Sequence, residues 1–322
     1  MRALVTGADG FVGRHLMSHL DAEGDSTIGW DRSTGGPDLL NARDVTQLFE
    51  DVHPDVVYHL AGDADVGGSW DHPESTFMIN AVGTMHMLMA ARRANVGRVL
   101  CVSSADVYGR VTEANLPLTE DAPLAPVSPY AASKVAADAL AQQAFLGHGL
   151  EVIRVRPFNH LGPGQRTSFV APAIADRIAH NEVSGGRTVA VGNLSPRRDF
   201  TDVRDVVRAY RLLIEKGGPE RPYNVCSGRD LAVQDLAEQL LELATAPMEL
   251  VQDPDLVRPV DVPVLRGSND RLREATGWEP SIPLRTTLAD LLDDARRRVR
   301  PEAHHDRSGD PSPDGPREEP QP

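Results

Sequence analysis

Lysine is almost absent from this chain. Of 33 basic residues only Lys134 and Lys216 are lysines, so a lysine at a given position runs against the chain's habit of using arginine. Positive charge is scarce as well. A net charge of −14 excludes a general nucleic-acid or anionic-membrane binder, because both need a basic face to neutralise phosphates. Any phosphate must be met locally. Cysteine is nearly missing too: Cys101 and Cys226 both lie in apolar, strand-like runs, where a reduced, buried thiol is expected. That leaves no disulfide framework and no metal site. No run approaches the roughly 18 apolar residues of a membrane span. Ala3-Leu4-Val5 follows Met1-Arg2 directly, which leaves no room for a leader and makes the cytoplasm the expected compartment.

What is present is length and apolar content. A chain of 322 residues that is 40% hydrophobic supports one large or two interlocked α/β domains. Arg2 to Thr6 reads as a buried strand and Gly10 to Leu20 as a helix. Between them Gly7, Gly10 and Gly13 form a Gly-x-x-Gly-x-x-Gly turn with Phe11 and Val12 inside it. Strand, glycine turn and helix N-terminus together make a pyrophosphate cradle, since missing side chains let phosphate reach backbone N–H groups and the positive end of the helix.

Ser26 to Trp30 is a second strand closing on Asp31, about 18 residues after the third glycine, where a carboxylate accepts hydrogen bonds from an adenosine ribose. Asp31 favours NAD(H) over NADP(H), while the adjacent Arg32 leaves a 2′-phosphate, and so NADPH, as the alternative. Asp55 to Leu60 is a third strand, followed by the small residues Ala61 and Gly62. A long helix is expected from about Pro73 to Asn95, its methionines serving as core or dimer-face filler and Asn80 either satisfying a backbone group or ordering the site. Val99 to Ser103 is the next strand, ending at the Ser103-Ser104 pair.

Tyr130 and Lys134 are the chemical centre of the sequence. With Ser128 as N-cap and Pro129 as the first helical residue, the two stand one turn apart on one helix face. A nearby cation favours the phenolate and lowers the tyrosine pKa, which suits proton transfer. Glu151 to Phe158 makes another strand, and past Gly164 the simple alternation breaks down. Residues 1–164 and 199–228 read as the nucleotide-binding domain, 165–198 and 229–300 as a smaller region over the strand ends, and 301–322 as a disordered tail rich in Pro, Asp and Glu.

Taken together, His59-Leu60-Ala61-Gly62, Asn80 with Gly83-Thr84, Ser104 with Val107-Tyr108-Gly109, Tyr130 with Lys134, Arg198-Asp199-Phe200 and Arg258-Pro259-x-Asp261 resemble the extended short-chain dehydrogenase/reductases of nucleotide-sugars. The resemblance covers about residues 1 to 300 and implies a Rossmann-type doubly wound parallel sheet with a smaller, mainly C-terminal α/β substrate-binding region. Finer marks, among them Arg156-Pro157-Phe158-Asn159-His160 and Tyr223-Asn224-Val225-Cys226, point within that family to reduction of the C4 ketone of a GDP-4-keto-6-deoxy-mannose type sugar to GDP-D-rhamnose, with NADH or NADPH as donor.

The resemblance further implies that Ser104 holds the C4 oxygen, Tyr130 protonates it, and Lys134 binds the nicotinamide ribose. Asp38, Leu39, Leu60, Ala61 and Pro157 would line the cofactor. Asn80, Asp106, Asn159, Phe169, Val170, Val191, Arg198 and Arg258 would meet the substrate, the arginines on its diphosphate. A homodimer formed through helices near Pro73 to Asn95 and after Tyr130 is implied as well. Dehydratases of the family carry acid/base residues directly after the serine or threonine; Ala105 and Asp106 stand there, which favours a reductase and leaves a 4-epimerase or 4,6-dehydratase with tightly bound NAD as the alternative. A cofactor-sensing module without chemistry would have lost Tyr130 or Lys134.

Overall fold

The computed structural model describes residues 1–257 and 262–299. Its first layer is a parallel sheet of strands β1 (Arg2–Thr6), β2 (Ser26–Trp30), β3 (Val56–His59), β4 (Arg98–Val102), β5 (Val152–Pro157) and β9 (Tyr223–Val225), in the order β2-β1-β3-β4-β5-β9. The chain leaves β1 in one direction to form β2 and returns on its other side to form β3. Ligands in such sheets bind at the carboxyl ends beside this reversal.

Strands covered on both faces must be apolar throughout, and β3 and β5 are buried along their whole length. One apolar cluster packs α1 (Phe11–Ala22) and α7 (Val203–Lys216) on one face; a second packs α2 (Ala42–Val52), α4 (Gly83–Arg93) and α5 (Pro129–His148) on the other. In α2 the Asn41 side chain caps the N-terminus, and Val45 and Phe49 point into the core.

The expected long helix is interrupted. α3 (Pro73–Phe77) passes into a π-helical turn at Met78–Val82 before α4 resumes, and Asn95 ends the segment at φ 52°. Among its methionines Met87 is fully buried, whereas Met78 and Met89 are exposed.

Beyond β5 the chain builds smaller sheets. β6 (Asn159–Leu161) pairs in parallel with β8 (Arg197–Asp202), which is also flanked by β10 (Asp230–Ala232) and β12 (Val264–Leu265). β7 (Thr188–Val191) pairs with β11 (Glu249–Gln252). A third apolar cluster joins these strands to α6 (Val170–Ser184), α8 (Val233–Glu242) and α10 (Leu284–Val299).

Two buried carboxylates knit the second part of the chain together. Asp199 of β8 accepts from the amides of Ser227, Gly228 and Gly267 and from the Ser227 hydroxyl. Asp205 of α7 accepts from the amides of Ser281 and Ile282, while its own carbonyl takes the indole N–H of fully buried Trp278 at 2.9 Å. Cys101 and Cys226 are both buried, and no helix among the described residues is long and apolar enough to cross a membrane.

Candidate active site

The glycine turn closes the carboxyl end of β1 as its pattern requires. Gly7 sits at φ 73°, and a Cβ there would stand 2.9 Å from the Ala61 amide nitrogen; a Cβ on Gly13 would collide with the Gly7 carbonyl. The space that side chains would occupy is thus left as a bare backbone cradle at the N-terminus of α1, which suits the diphosphate of a dinucleotide. Leu60 and Ala61 border it from the end of β3. Phe11 turns outward, its ring stacked on His160 at 6.0 Å between centroids, and Val12 packs toward the core. Pro157 is buried at the end of β5.

At the end of β2 the Asp31 carboxylate accepts from the Ser33 amide and hydroxyl at 2.9 and 2.7 Å. Burial pushes its pKa up, and the hydrogen bonds from Ser33 and Asp9 outweigh that, holding it below its ordinary value. Arg32 lies 3.5 Å from Asp38, and Asp38 accepts from the Leu40 amide. The Leu39 side chain packs beneath Gly83, and its carbonyl takes a hydrogen bond from His86.

Ser128 caps α5 by accepting from the Ala131 amide at 3.1 Å, with Pro129 in the first turn, so Tyr130 and Lys134 face the strand ends. The Lys134 Nζ lies 5.9 Å from the Tyr130 ring centroid and donates to the Val102 carbonyl at 3.2 Å. Ser104 caps a short 3-10 turn, Ala105–Tyr108, and its hydroxyl acts on the Tyr130 phenol to lower its pKa. Its hydroxyl also accepts from the Asp106 amide at 3.1 Å and donates to the Asp106 carboxylate at 3.3 Å. Serine, tyrosine and lysine, each less than one-tenth exposed, therefore meet in one place.

The electrostatics correct one expectation. The phenol of Tyr130 is held above its ordinary pKa, because burial dominates and the charges of Asp106 and Asp63 add to it; only the Ser104 hydrogen bond pulls the other way. Burial lowers Lys134 to about 8, and Cys101 and Asp63 pull it back up. Tyr130 therefore stays protonated near neutral pH and holds a proton it can give away.

Asn80, expected to meet the substrate, to satisfy a backbone group or to order the site, is only 1% exposed and bonded within the protein. Its Nδ2 donates to the Asp63 carbonyl and to Ser133 Oγ at 3.0 and 2.9 Å, and its Oδ1 accepts from the Asp63 amide. The Ser133 hydroxyl in turn donates to the Tyr130 carbonyl at 2.7 Å. Asn80 positions the helix that carries Tyr130.

Val191, at 3% exposure, packs in the core around α6. Of the other substrate candidates, Asn159 opens β6, Phe169 and Val170 are exposed at the start of α6, and Arg198 on β8 donates to the Arg197 carbonyl. Arg258 and residues 301–322 lie outside the described residues. A cleft of about 700 Å³ opens nearby between Arg14, Asp65, Gln165, Ser168 and Arg298.

Several residues matter here whose roles spacing alone did not reveal. Buried His59 stands between Thr6 and Thr84 at 2.9 and 3.0 Å. The Thr84 hydroxyl donates to the Asn80 carbonyl at 2.6 Å, so His59 Nε2 must be the donor to it. Burial, with help from Lys134, pushes its pKa down to about 3. Asp63 and Ser69, which accepts from the Tyr130 amide, complete the surroundings.

A doubly wound parallel sheet with a bare glycine turn at the β1 edge of its crossover, and a Ser–Tyr–Lys group across from it, defines a nicotinamide-dependent short-chain oxidoreductase. The profile of the NAD dependent epimerase/dehydratase family matches residues 3–226, and the chain belongs to that family as an extended short-chain dehydrogenase/reductase. It is 40% identical over 94% of its length to GDP-6-deoxy-D-mannose reductase of Pseudomonas aeruginosa, spanning 99% of that protein. It is 33% identical over 92% of its length to UDP-glucose 4-epimerase of Mycolicibacterium smegmatis, spanning 99% of that enzyme. The solved structure of RMD from P. aeruginosa complexed with NADPH superimposes with a TM-score of 0.84, at 38% identity, covering 92% of this chain and 98% of that one.

Proposed function

We propose that this enzyme reduces the C4 ketone of a GDP-4-keto-6-deoxy-mannose type nucleotide-sugar to GDP-D-rhamnose. The observation that carries the reading is Ala105. Directly after Ser104, at 2% exposure, the chain places a methyl group where the Asp-Glu type of family dehydratase keeps an acid that expels the C6 hydroxyl, while the following place, where dehydratases typically carry an acid, holds Asp106. The similarity to the P. aeruginosa reductase supports the same substrate class.

When bound across the glycine turn, NADH or NADPH supplies hydride to the ketone carbon. The chain's own residues do the rest. Ser104 donates a hydrogen bond to the C4 oxygen and fixes its position. Tyr130, kept protonated by burial, gives its proton to that oxygen as negative charge develops there. Lys134 holds the nicotinamide ribose, and Asn159 and Arg198, with Arg258, grip the substrate diphosphate.

Residues 1–164 and 199–228 form the cofactor domain in this reading, and 165–198 with 229–300 the sugar-binding region. Exposed Phe77, Met78 and Met89, on the helices expected to pair, support a homodimer. Incubation with each reduced cofactor and freshly made GDP- or dTDP-4-keto-6-deoxy sugars tests the proposal. Oxidation of NAD(P)H should depend on the GDP sugar; activity with dTDP sugars alone would overturn the substrate assignment.

A further inference from the structure

Two arginines on β5 and an acid on α5 form a buried ion cluster behind the catalytic helix. Asp138, one turn after Lys134, is 4% exposed, and Arg154 and Arg156 are 3 and 4% exposed, so each charge must find its partner inside the protein. The Asp138 carboxylate accepts from Arg154 at 3.0 Å and from Arg156 Nε at 2.8 Å. The far end of Arg156 reaches the 3-10 turn that follows Ser104. Its Nη1 donates to Tyr108 Oη and to the Glu120 carbonyl, both at 3.2 Å, and the guanidinium lies 5.3 Å from the Tyr108 ring centroid. An arginine cannot accept, so the Tyr108 phenol takes that bond and donates its own proton to Asn224 Oδ1 at 2.6 Å. Asn224 is oriented in turn by its Nδ2, which donates to the Leu118 carbonyl at 3.0 Å.

We propose that Arg156, anchored on Asp138, is a positioning residue for Ser104 and acts on it through Tyr108. The inference rests on the reading that Ser104 holds the C4 oxygen. The three catalytic groups come from two elements: Tyr130 and Lys134 from α5, Ser104 from the turn after β4. Asp138 belongs to the first and Tyr108 to the second, and Arg156 is bonded to both. Ser104 and Tyr108 are the two ends of one short turn, closed by the Val107 amide on the Ser104 carbonyl and the Gly109 amide on the Asp106 carbonyl. Where the chain leaves the turn Gly109 has φ 66°, and a Cβ there would collide with the Ala125 carbonyl, so the backbone is pinned on that side. Fixing the Tyr108 hydroxyl therefore fixes the Ser104 hydroxyl relative to Tyr130. Directional bonds in a buried network hold such a spacing, and a misplacement of about 1 Å at a reacting group can cost about 10²-fold in rate.

The test compares one substitution with and without Ser104. Tyr108→Phe keeps the ring against Arg156 and deletes only the hydroxyl. With the 4-keto sugar and reduced cofactor that wild type accepts, kcat should fall at least about fivefold, while the cofactor dissociation constant, measured by calorimetry, stays within about twofold of wild type. In a Ser104→Ala background, followed in single turnovers at high enzyme concentration, the same change should cost less than about twofold, because residues that act as a unit are not additive. Arg156→Lys keeps the charge without the fork and should repeat both results, and it stands in for Tyr108→Phe if that variant fails to fold. A smaller loss of kcat from either variant that folds would overturn the proposal. So would a loss of about twofold or more in the Ser104→Ala background, since the cluster would then act as general scaffolding. A Ser104→Ala enzyme that keeps the wild-type kcat would instead bring down the reading of Ser104 itself, a result distinguishable from the other two.

Discussion

The amide of Asn80 donates to the hydroxyl of Ser133 at 2.9 Å, joining the π-helical turn before α4 to the helix that carries Tyr130 and Lys134. Through Thr84 and His59 the same chain of bonds continues to Thr6, at the mouth of the glycine turn. The catalytic helix and the cofactor cradle are thereby held in one buried polar network.

Breaking that network should be felt in both stability and rate. Asn80→Ala strands the Asp63 amide and carbonyl and removes one of the two bonds of Ser133 Oγ, and each buried group left unpaired costs about 1–3 kcal/mol. A lower melting temperature and a drop in kcat of at least tenfold are expected, measured by calorimetry and steady-state assay. Retention of both would show that the network is incidental.

Removing the proton donor separates chemistry from binding. Tyr130→Phe keeps the buried ring and deletes the hydroxyl, so turnover should fall by about 10²–10⁴, the usual contribution of a positioned acid. NADH affinity, followed by fluorescence, should change little. A joint loss of affinity and turnover would make Tyr130 a structural residue.

The alkaline side of the pH profile should report Lys134. Burial brings this group to about 8, so it is charged below that pH and neutral above it, and kcat/KM should decline as pH rises through about 8. Asp63 pulls the lysine pKa upward, so Asp63→Asn should move the same limb to lower pH. A limb that stays in place would remove Asp63 from the account.

Acid should loosen the joint between α10 and α6. Hydrogen bonds from Arg296 at 2.7 and 2.8 Å hold Glu182 down at about 2. Because its folded value lies below the ordinary carboxylate range, its contribution is present above about pH 4.5 and is lost as pH falls toward 2. Glu182→Gln should flatten the dependence of melting temperature on pH in that window relative to wild type.

Much of this architecture was readable because parallel strands are buried on both faces and therefore run apolar. The strands Arg2–Thr6 and Ser26–Trp30 fall where the sequence puts them, and Ser128 and Pro129 start α5 as expected. The π-helical turn was not readable, since Met78–Val82 keeps a helical apolar pattern while its hydrogen bonding shifts by one residue. Val191, expected near the substrate, packs at 3% exposure in the core, and composition alone does not separate an apolar residue lining a site from one beneath it. The sign of the Tyr130 shift depended on burial, which spacing along a helix cannot convey: proximity of Lys134 argued one way, and desolvation wins.

The role of Ala105 is tested most directly by the redox balance of the purified enzyme. Added NADH or NADPH should be consumed one for one with GDP-4-keto-6-deoxymannose, yielding GDP-D-rhamnose, and protein stripped of reductant should be inert. Copurified NAD⁺ together with turnover in the absence of any added reductant would contradict the account and place the enzyme among the epimerases or dehydratases.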